Sequence, residues 1–291
     1  MGQTEIPYCD ATLDVSLGCR KRSPGCDHCW ALPVVYRMTR NPSLDGLHKS
    51  LTTTHCGERM WGCGGVSYQW FPEALDKLLT KRPRFWFLNS KSDLFDERAG
   101  FADLAALFDR IAETPWHRYM ILTKEVGRLS AFLGAYENEG RFNWPSNFGH
   151  VILMTSIEGA AQMTRWDHLA AIPAVHRGIS FEPLLGPVAH ELVKRLQESQ
   201  TPAADIDWIV IGCEKLLGGR AGRWAGEEPD AWWGVTALIV NAAVKADVRV
   251  WMKQGPNLTH FAPPGPIKVT AALADFPPHC QIQQRPWGDW P

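Results

Sequence analysis

The segment Gly18-Cys19-Arg20-Lys21-Arg22-Ser23-Pro24-Gly25-Cys26-Asp27-His28-Cys29-Trp30 sets three thiols in a C-x6-C-x2-C array. Cysteine thiolates are the ligands of iron–sulfur clusters. Three of them can hold three irons of a [4Fe–4S] cluster and leave the fourth open. An open iron can chelate the amino and carboxylate groups of S-adenosylmethionine. One electron then breaks a carbon–sulfur bond of the sulfonium and yields a 5′-deoxyadenosyl radical, while the protein binds, orients and excludes water. Gly18, Pro24 and Gly25 let the backbone turn tightly around a bulky inorganic group. His28 stands one residue before the last cysteine, where its ring can pack on the cofactor's adenine. Arg20, Lys21 and Arg22 can offset the charge of a thiolate-ligated cluster. The same donors also suit zinc, whose tetrahedral sites combine Cys and His. Cys56 and Cys63, with His55 beside them, could complete such a site or bind an ion of their own. Cys9, Cys213 and Cys280 read as buried small hydrophobes. Of these, Cys213, next to Glu214 at a strand end, is the one able to reach an active face.

The array must be positioned by the elements around it. Short apolar, β-branched or aromatic runs at 12–18, 84–89, 118–123, 150–156, 177–182, 207–213 and 248–253 read as strands. Helix candidates lie at 29–40, 73–80, 99–113, 125–136, 159–171, 187–198 and 231–246. In 99–113 the spacing puts Phe101, Leu104, Leu107, Phe108 and Ile111 on one stripe. Near-continuous apolar strands separated by helices predict a parallel sheet with covered faces. With no Gly-rich dinucleotide turn after the first strand, the fold class is α/β, a partial (β/α) barrel of six or seven units. Residues 1–255 form the expected barrel. Residues 41–70, rich in Gly and Thr, read as an irregular insertion, and 256–291 as an irregular extension covering the barrel. Polar residues recur where the strands stop: Asn89, Ser90 and Asp93; Thr123 and Lys124; Ser156 and Glu158; Glu182; Glu214; Lys253 and Gln254. In a parallel barrel those ends open onto the face where chemistry happens, although strand ends also turn polar simply by meeting solvent.

The chain has 291 residues, 45% hydrophobic and 21% charged, with a formal net charge of −1, so no global positive field draws in nucleic acid. A local patch could still do so. The N-terminus lacks a basic stretch followed by an apolar one, and no run approaches a membrane span. A cytoplasmic location is therefore expected, where eight cysteines point to metal or redox chemistry rather than disulfides.

The segments D-A-T-L-D-V-S-L-G-C…S-P-G-C-D-H-C-W, F-L-N-S-K-S-D-L-F-D, M-I-L-T-K, T-S-I-E, S-F-E-P-L-L-G-P, W-I-V-I-G-C-E and V-W-M-K-Q-G resemble, in that order, a phage-associated family of radical-S-adenosylmethionine-like proteins. The likeness runs from about Asp10 to Gly255. It implies a barrel of the radical S-adenosylmethionine type, with the [4Fe–4S] cluster on Cys19, Cys26 and Cys29. It also implies S-adenosylmethionine as the small-molecule cofactor and an external electron donor such as flavodoxin or ferredoxin. The C-x6-C-x2-C spacing departs from the C-x3-C-x2-C of the wider superfamily, and similar members carry glycine where Cys213 stands. Relatives of this kind occur in viruses that decorate thymine bases, which suggests an isomerase-type rearrangement of a modified pyrimidine in DNA, in the host cytoplasm. On such a barrel Asn89, Ser90 and Asp93 would meet the methionyl end of the cofactor, and Ser156 and Glu158 the ribose hydroxyls. Lys124, Glu182, Glu214 and Lys253 would be left for substrate, or for a salt-bridge network. Arg220 and Arg223 could contact phosphate. The alternatives are a zinc-binding barrel protein and a nucleic-acid-binding module with a structural metal.

Overall fold

The computed structural model describes residues 4–174, 176–198, 206–258 and 266–287. Its strands are β1 (Ala11–Leu13), β2 (Ser16–Leu17), β3 (Thr52–His55), β4 (Glu58–Trp61), β5 (Gln69–Trp70) and β6 (Phe85–Leu88). They continue with β7 (Arg118–Thr123), β8 (Val151–Ser156), β9 (His176–Phe181), β10 (Trp208–Gly212), β11 (Arg249–Pro256) and β12 (Val269–Thr270). The fold is mixed α/β, with an eight-stranded, mostly parallel sheet ordered β1-β6-β7-β8-β9-β10-β11-β12. Every residue of β6, β8 and β10 is buried, which is why these strands carry continuous apolar runs rather than alternation. The chain divides into two compact units: 1–22 with 29–154 and 172–175, and 23–28 with 155–171 and 176–291.

In the first unit β1, β6 and β7 pair in parallel, with Thr12 opposite Phe87 and Phe87 opposite Met120. Its helices are α1 (Ala31–Met38), α2 (Phe101–Ala112) and α3 (Val126–Asn138). Leu104, Leu107, Phe108 and Ile111 of α2 are buried as their spacing predicts, and the Phe108 ring meets Phe132 of α3 edge-on at 4.9 Å. Phe101 departs from the stripe: as the first residue of the helix it is partly exposed, its ring against Phe132. Buried His117 ties the starts of β6 and β7 together. Its Nδ1 accepts the Arg84 N–H at 3.1 Å, which fixes the neutral tautomer and leaves Nε2–H to donate to the Leu78 carbonyl at 3.0 Å. Desolvation, with the nearby Arg84 charge adding to it, holds this imidazole below its ordinary pKa against the opposing pull of its backbone hydrogen bonds to Leu78 and Thr80.

Two expectations change here. The run 12–18 is not one strand: after Leu13 the chain turns, and Ser16–Leu17 pairs antiparallel with β5. The segment 41–70 is not wholly irregular, because β3 and β4 form an antiparallel hairpin. Its two-residue turn, Cys56-Gly57, has φ of 49° and 82°, the doubly left-handed geometry that matches strand twist. The hairpin escaped the pattern because most of its residues are exposed, so no apolar alternation marks it. The helix expected over 73–80 is present as a 3-10 helix, Pro72–Leu79.

In the second unit β9, β10 and β11 pair in parallel, and β12 closes antiparallel on the end of β11, Gly255 opposite Thr270. Its helices are α4 (Thr164–Ala170), α5 (Ala189–Glu198), α6 (Arg223–Glu227) and α7 (Pro229–Lys245). Extended Gly159 and a 3-10 turn at Ala160–Gln162 shorten the helix expected over 159–171. The C-terminal segment is more ordered than expected. Met252 N–H donates to Ile282 O at 2.9 Å and Gln284 N–H to Val250 O at 2.8 Å, so this segment covers the edge of β11 that pairing with β10 leaves open. Among the described residues no helix is long and apolar enough to cross a membrane.

Candidate cluster-binding loop and strand-end site

β2 delivers the chain to Gly18, whose φ is 100° and whose hydrogen faces the Ser67 carbonyl where a Cβ would stand 2.2 Å from that oxygen. Only glycine makes this turn into the cysteine segment. Cys19, Cys26 and Cys29 are each partly exposed. Soft thiol donors on a loop, accessible rather than sealed in a core, fit the ligand chemistry of an iron–sulfur cluster. Among the described residues no three His, Cys, Asp or Glu side chains converge on a single metal ion. His28 and Trp30 are exposed, Trp30 to 51%.

Two of the three basic residues, Arg20 and Arg22, form ion pairs. In the first unit Arg20 pairs with Glu97 and lies 3.5 Å from Asp96, while Arg22 pairs with Glu125. Burial pushes the Asp96 carboxyl up, but the Arg98 hydrogen bonds and the Arg98 and Arg20 charges outweigh it and hold it below the carboxylate range. Acidic groups of the same unit are therefore bound to both arginines.

In the second unit the segment Ser23–Asp27 makes a 3-10 turn, with Cys26 N–H donating to Ser23 O at 2.8 Å. Ser23 Oγ donates to Glu158 Oε1 at 2.6 Å and lies 4.0 Å from Cys26 Sγ. Glu158, 1% exposed, also accepts from Arg165 Nη1 at 3.0 Å, and that guanidinium donates to Ser156 O at 2.7 Å. A Cβ on Gly25 would lie 2.6 Å from Glu158 Cγ, so glycine is what lets the carboxylate approach. Glu214 behaves likewise. It is 4% exposed and takes Arg223 Nε on Oε2 at 2.8 Å and Arg223 Nη2 on Oε1. Arg223 Nη1 reaches Asp27 Oδ2 at 3.1 Å and Nη2 reaches Pro24 O at 3.0 Å. A Cβ on Gly222 would stand 2.3 Å from Glu214 Oε2.

The other strand-end residues fall into four groups. Buried Asn89, at φ 56°, accepts on Oδ1 from the N–H groups of Val15 at 2.8 Å and Ser16 at 3.3 Å, and its amide donates to Ser16 Oγ and Ser92 Oγ. Its side chain serves the turn that follows β1. Ser90 Oγ donates to Asp14 Oδ1 at 3.3 Å, and Lys91 forms an ion pair with the same carboxylate. Asp93 accepts from Thr123 Oγ1 at 2.6 Å, Phe95 N–H at 3.0 Å and Lys124 N–H at 2.8 Å. Loss of water around it raises its pKa despite those three bonds, with the Asp96 charge adding to the rise. In the second unit, Glu182 and Lys253 form an ion pair, each a little under one-fifth exposed. Beside them Gln254 Nε2 donates to Cys213 O at 2.8 Å. Burial, with the Glu182 and Glu214 charges adding to it, pushes the Cys213 thiol well up, so it stays protonated. Cys9 and Cys280 are also buried, as small apolar side chains would be, while Cys56 and Cys63 are exposed.

The sequence pattern located the strand-end acids but not their partners. Arg165 was the missed residue, and Arg223, read from the sequence as a phosphate contact, is bound to Glu214, Asp27 and the Pro24 carbonyl. The only signal for either pairing was a basic residue seven or nine positions after a strand-end glutamate, in helices that begin just beyond those strands.

A family model described as "Protein of unknown function (DUF5131)" matches residues 3–261. No curated protein matches the chain. A solved structure of a spore photoproduct lyase mutant is similar at 12% identity, covering 93% of this chain and 71% of that one, with a TM-score of 0.46.

Proposed function

For this chain, which belongs to the DUF5131 family, we propose a radical S-adenosylmethionine enzyme built on a partial (β/α) barrel. The observation that carries the reading is the C-x6-C-x2-C loop that follows the first strand of a mostly parallel sheet and the short β2, its three thiols each partly exposed. Cys19, Cys26 and Cys29 would hold a [4Fe–4S] cluster. When bound, that cluster and S-adenosylmethionine supply reductive cleavage of a carbon–sulfur bond, and thereby a 5′-deoxyadenosyl radical.

The chain's own residues bind and orient. Ser90, Asp93 and Ser156 stand at the ends of β6 and β8 and are the candidates for the polar groups of the cofactor. Exposed His28 is the candidate for its adenine. Asn89 and Glu158 contribute through the backbone and loop they hold. The Glu182–Lys253 pair, with Lys124, is assigned to substrate. Its opposite charges suit a zwitterionic or amino-bearing group, as on a modified pyrimidine of DNA, with a rearrangement as the reaction class. Glu214 acts through Arg223.

Anaerobic reconstitution with iron and sulfide, reduction, and assay for 5′-deoxyadenosine with and without modified pyrimidine nucleosides tests the reading. Release of 5′-deoxyadenosine that rises with one nucleoside class supports it. A protein that takes up only zinc and releases none overturns it.

A further inference from the structure

We propose that two acid–arginine pairs, Glu158 with Arg165 and Glu214 with Arg223, are positioning residues that lock Ser23–Asp27 and so fix the backbone that carries Cys26. As a role in cluster binding this rests on the assignment of Cys26 as a cluster ligand; as a clamp on the loop it does not.

A three-residue 3-10 turn has too few hydrogen bonds to hold its own shape. Here the added hold comes from outside the turn and at both of its ends. Ser23, which opens the turn, donates to the buried Glu158 carboxylate. Asp27, which closes it, accepts from Arg223, and the same guanidinium caps the Pro24 carbonyl. The two carboxylates come from two strands: Glu158 lies two residues beyond β8 and Glu214 two beyond β10. Each is shielded from water, so water competes little for its bonds.

The local sequence is adapted to this contact at four positions. Gly25 and Gly222 are the residues against which the two carboxylates pack, and a Cβ at either would stand under 3.0 Å from carboxylate atoms. Arg223 keeps φ at 27°, costly for any residue with a side chain. Its bonds to Glu214, Asp27 and Pro24 O hold it there. Arg165 fills the second oxygen of Glu158 and ties it to the Ser156 carbonyl, so the acid is braced from its own strand end.

The test uses the full chain, first as purified and then anaerobically reconstituted. Glu158→Gln, Glu214→Gln and Ser23→Ala are compared with wild type. Ser23→Ala removes the loop side of the Glu158 contact and leaves Glu158–Arg165 intact, so it reports even if a buried-acid variant folds poorly. Asp167→Asn, which breaks an exposed pair with Arg195 in the same unit, is the control. Amide exchange of the peptide spanning Ser23–His28 should speed up about tenfold or more in the three clamp variants, the factor expected for one lost bond to a charged group. Loss of cluster iron to a chelator should accelerate in parallel, with an altered electron paramagnetic resonance signal of the reduced cluster. Asp167→Asn should change neither. Unchanged exchange and chelation rates, with weakened S-adenosylmethionine binding instead, would overturn the proposal and make the acids cofactor contacts. If wild type takes up no iron, the cluster assignment fails, while the exchange rates still decide whether the clamp exists.

Discussion

Replacing Gly25 by alanine adds one methyl group where the cysteine loop packs on a buried carboxylate. The new Cβ would lie 2.6 Å from Glu158 Cγ, 2.7 Å from Oε1 and 3.0 Å from Cδ. Ordinary carbon contacts begin near 3.5 Å, so the carboxylate must withdraw by about 1 Å. It has little room to do so, being 1% exposed and held by Arg165 on one oxygen and Ser23 on the other. Losing the Ser23 bond costs about 1.5–3 kcal/mol, as for hydrogen bonds to charged groups. The crowding adds about 1–3 kcal/mol. Against this, alanine narrows the unfolded ensemble, a gain of about 0.4–1 kcal/mol. The net expectation is a loss of roughly 2–4 kcal/mol, with the crowding partly relieved as the bond breaks. The assay is urea denaturation followed by tryptophan fluorescence, run as a double-mutant cycle with Glu158→Ala. Once the carboxylate is gone there is nothing for the methyl to strike, so in that background the alanine should cost under about 1 kcal/mol. A penalty equal in both backgrounds, or none in wild type, would refute the packing argument.

Other perturbations report on other parts of the molecule. His117 is held neutral, so stability is fully present above the unfolded imidazole pKa of about 6.5 and falls as pH drops below it, by at most about 1.4 kcal/mol per pH unit from this group; chemical denaturation at pH 7.5 and 5.5 should show the slope, and His117→Phe should lessen it. Asn89→Ala should destabilise by about 3 kcal/mol, since it removes several buried hydrogen bonds at a left-handed backbone position. Asn89→Gly should lose the same bonds but recover about 1 kcal/mol of backbone strain, visible as a higher thermal midpoint than the alanine variant. Lys253→Met should leave cluster loading and unstimulated 5′-deoxyadenosine release near wild type while abolishing stimulation by a modified nucleoside. A stimulation that survives would remove Lys253 from the substrate site.

Six strands and most helices were legible because their burial leaves a continuous apolar run or a 3.6-residue stripe. The hairpin of β3 and β4 was not, since a mostly exposed strand such as Glu58–Trp61 carries no such mark and only the left-handed Cys56-Gly57 turn betrays it. The break after Leu13 was hidden for another reason: it is set by Asn89, more than seventy residues away in sequence. The polar strand ends could be listed from sequence, but their hydrogen bonds could not. Glu158 and Glu182 look alike in the sequence, each just past a strand. In the structure one is sealed against Gly25 and braced by Arg165, and the other is a little under one-fifth exposed beside Lys253. Gly25 and Gly222 are informative only once the carboxylates packed on them are seen.

The most direct test of the central claim is a count of metal and sulfide per chain after anaerobic reconstitution, with Mössbauer spectra of wild type and of the Cys19→Ala, Cys26→Ala and Cys29→Ala chains. The expected result is about four irons and four sulfides per wild-type chain, with a large loss in each of those three variants and none in Cys56→Ala or Cys63→Ala. One tightly held zinc per chain, or iron binding indifferent to the three cysteines, would contradict it.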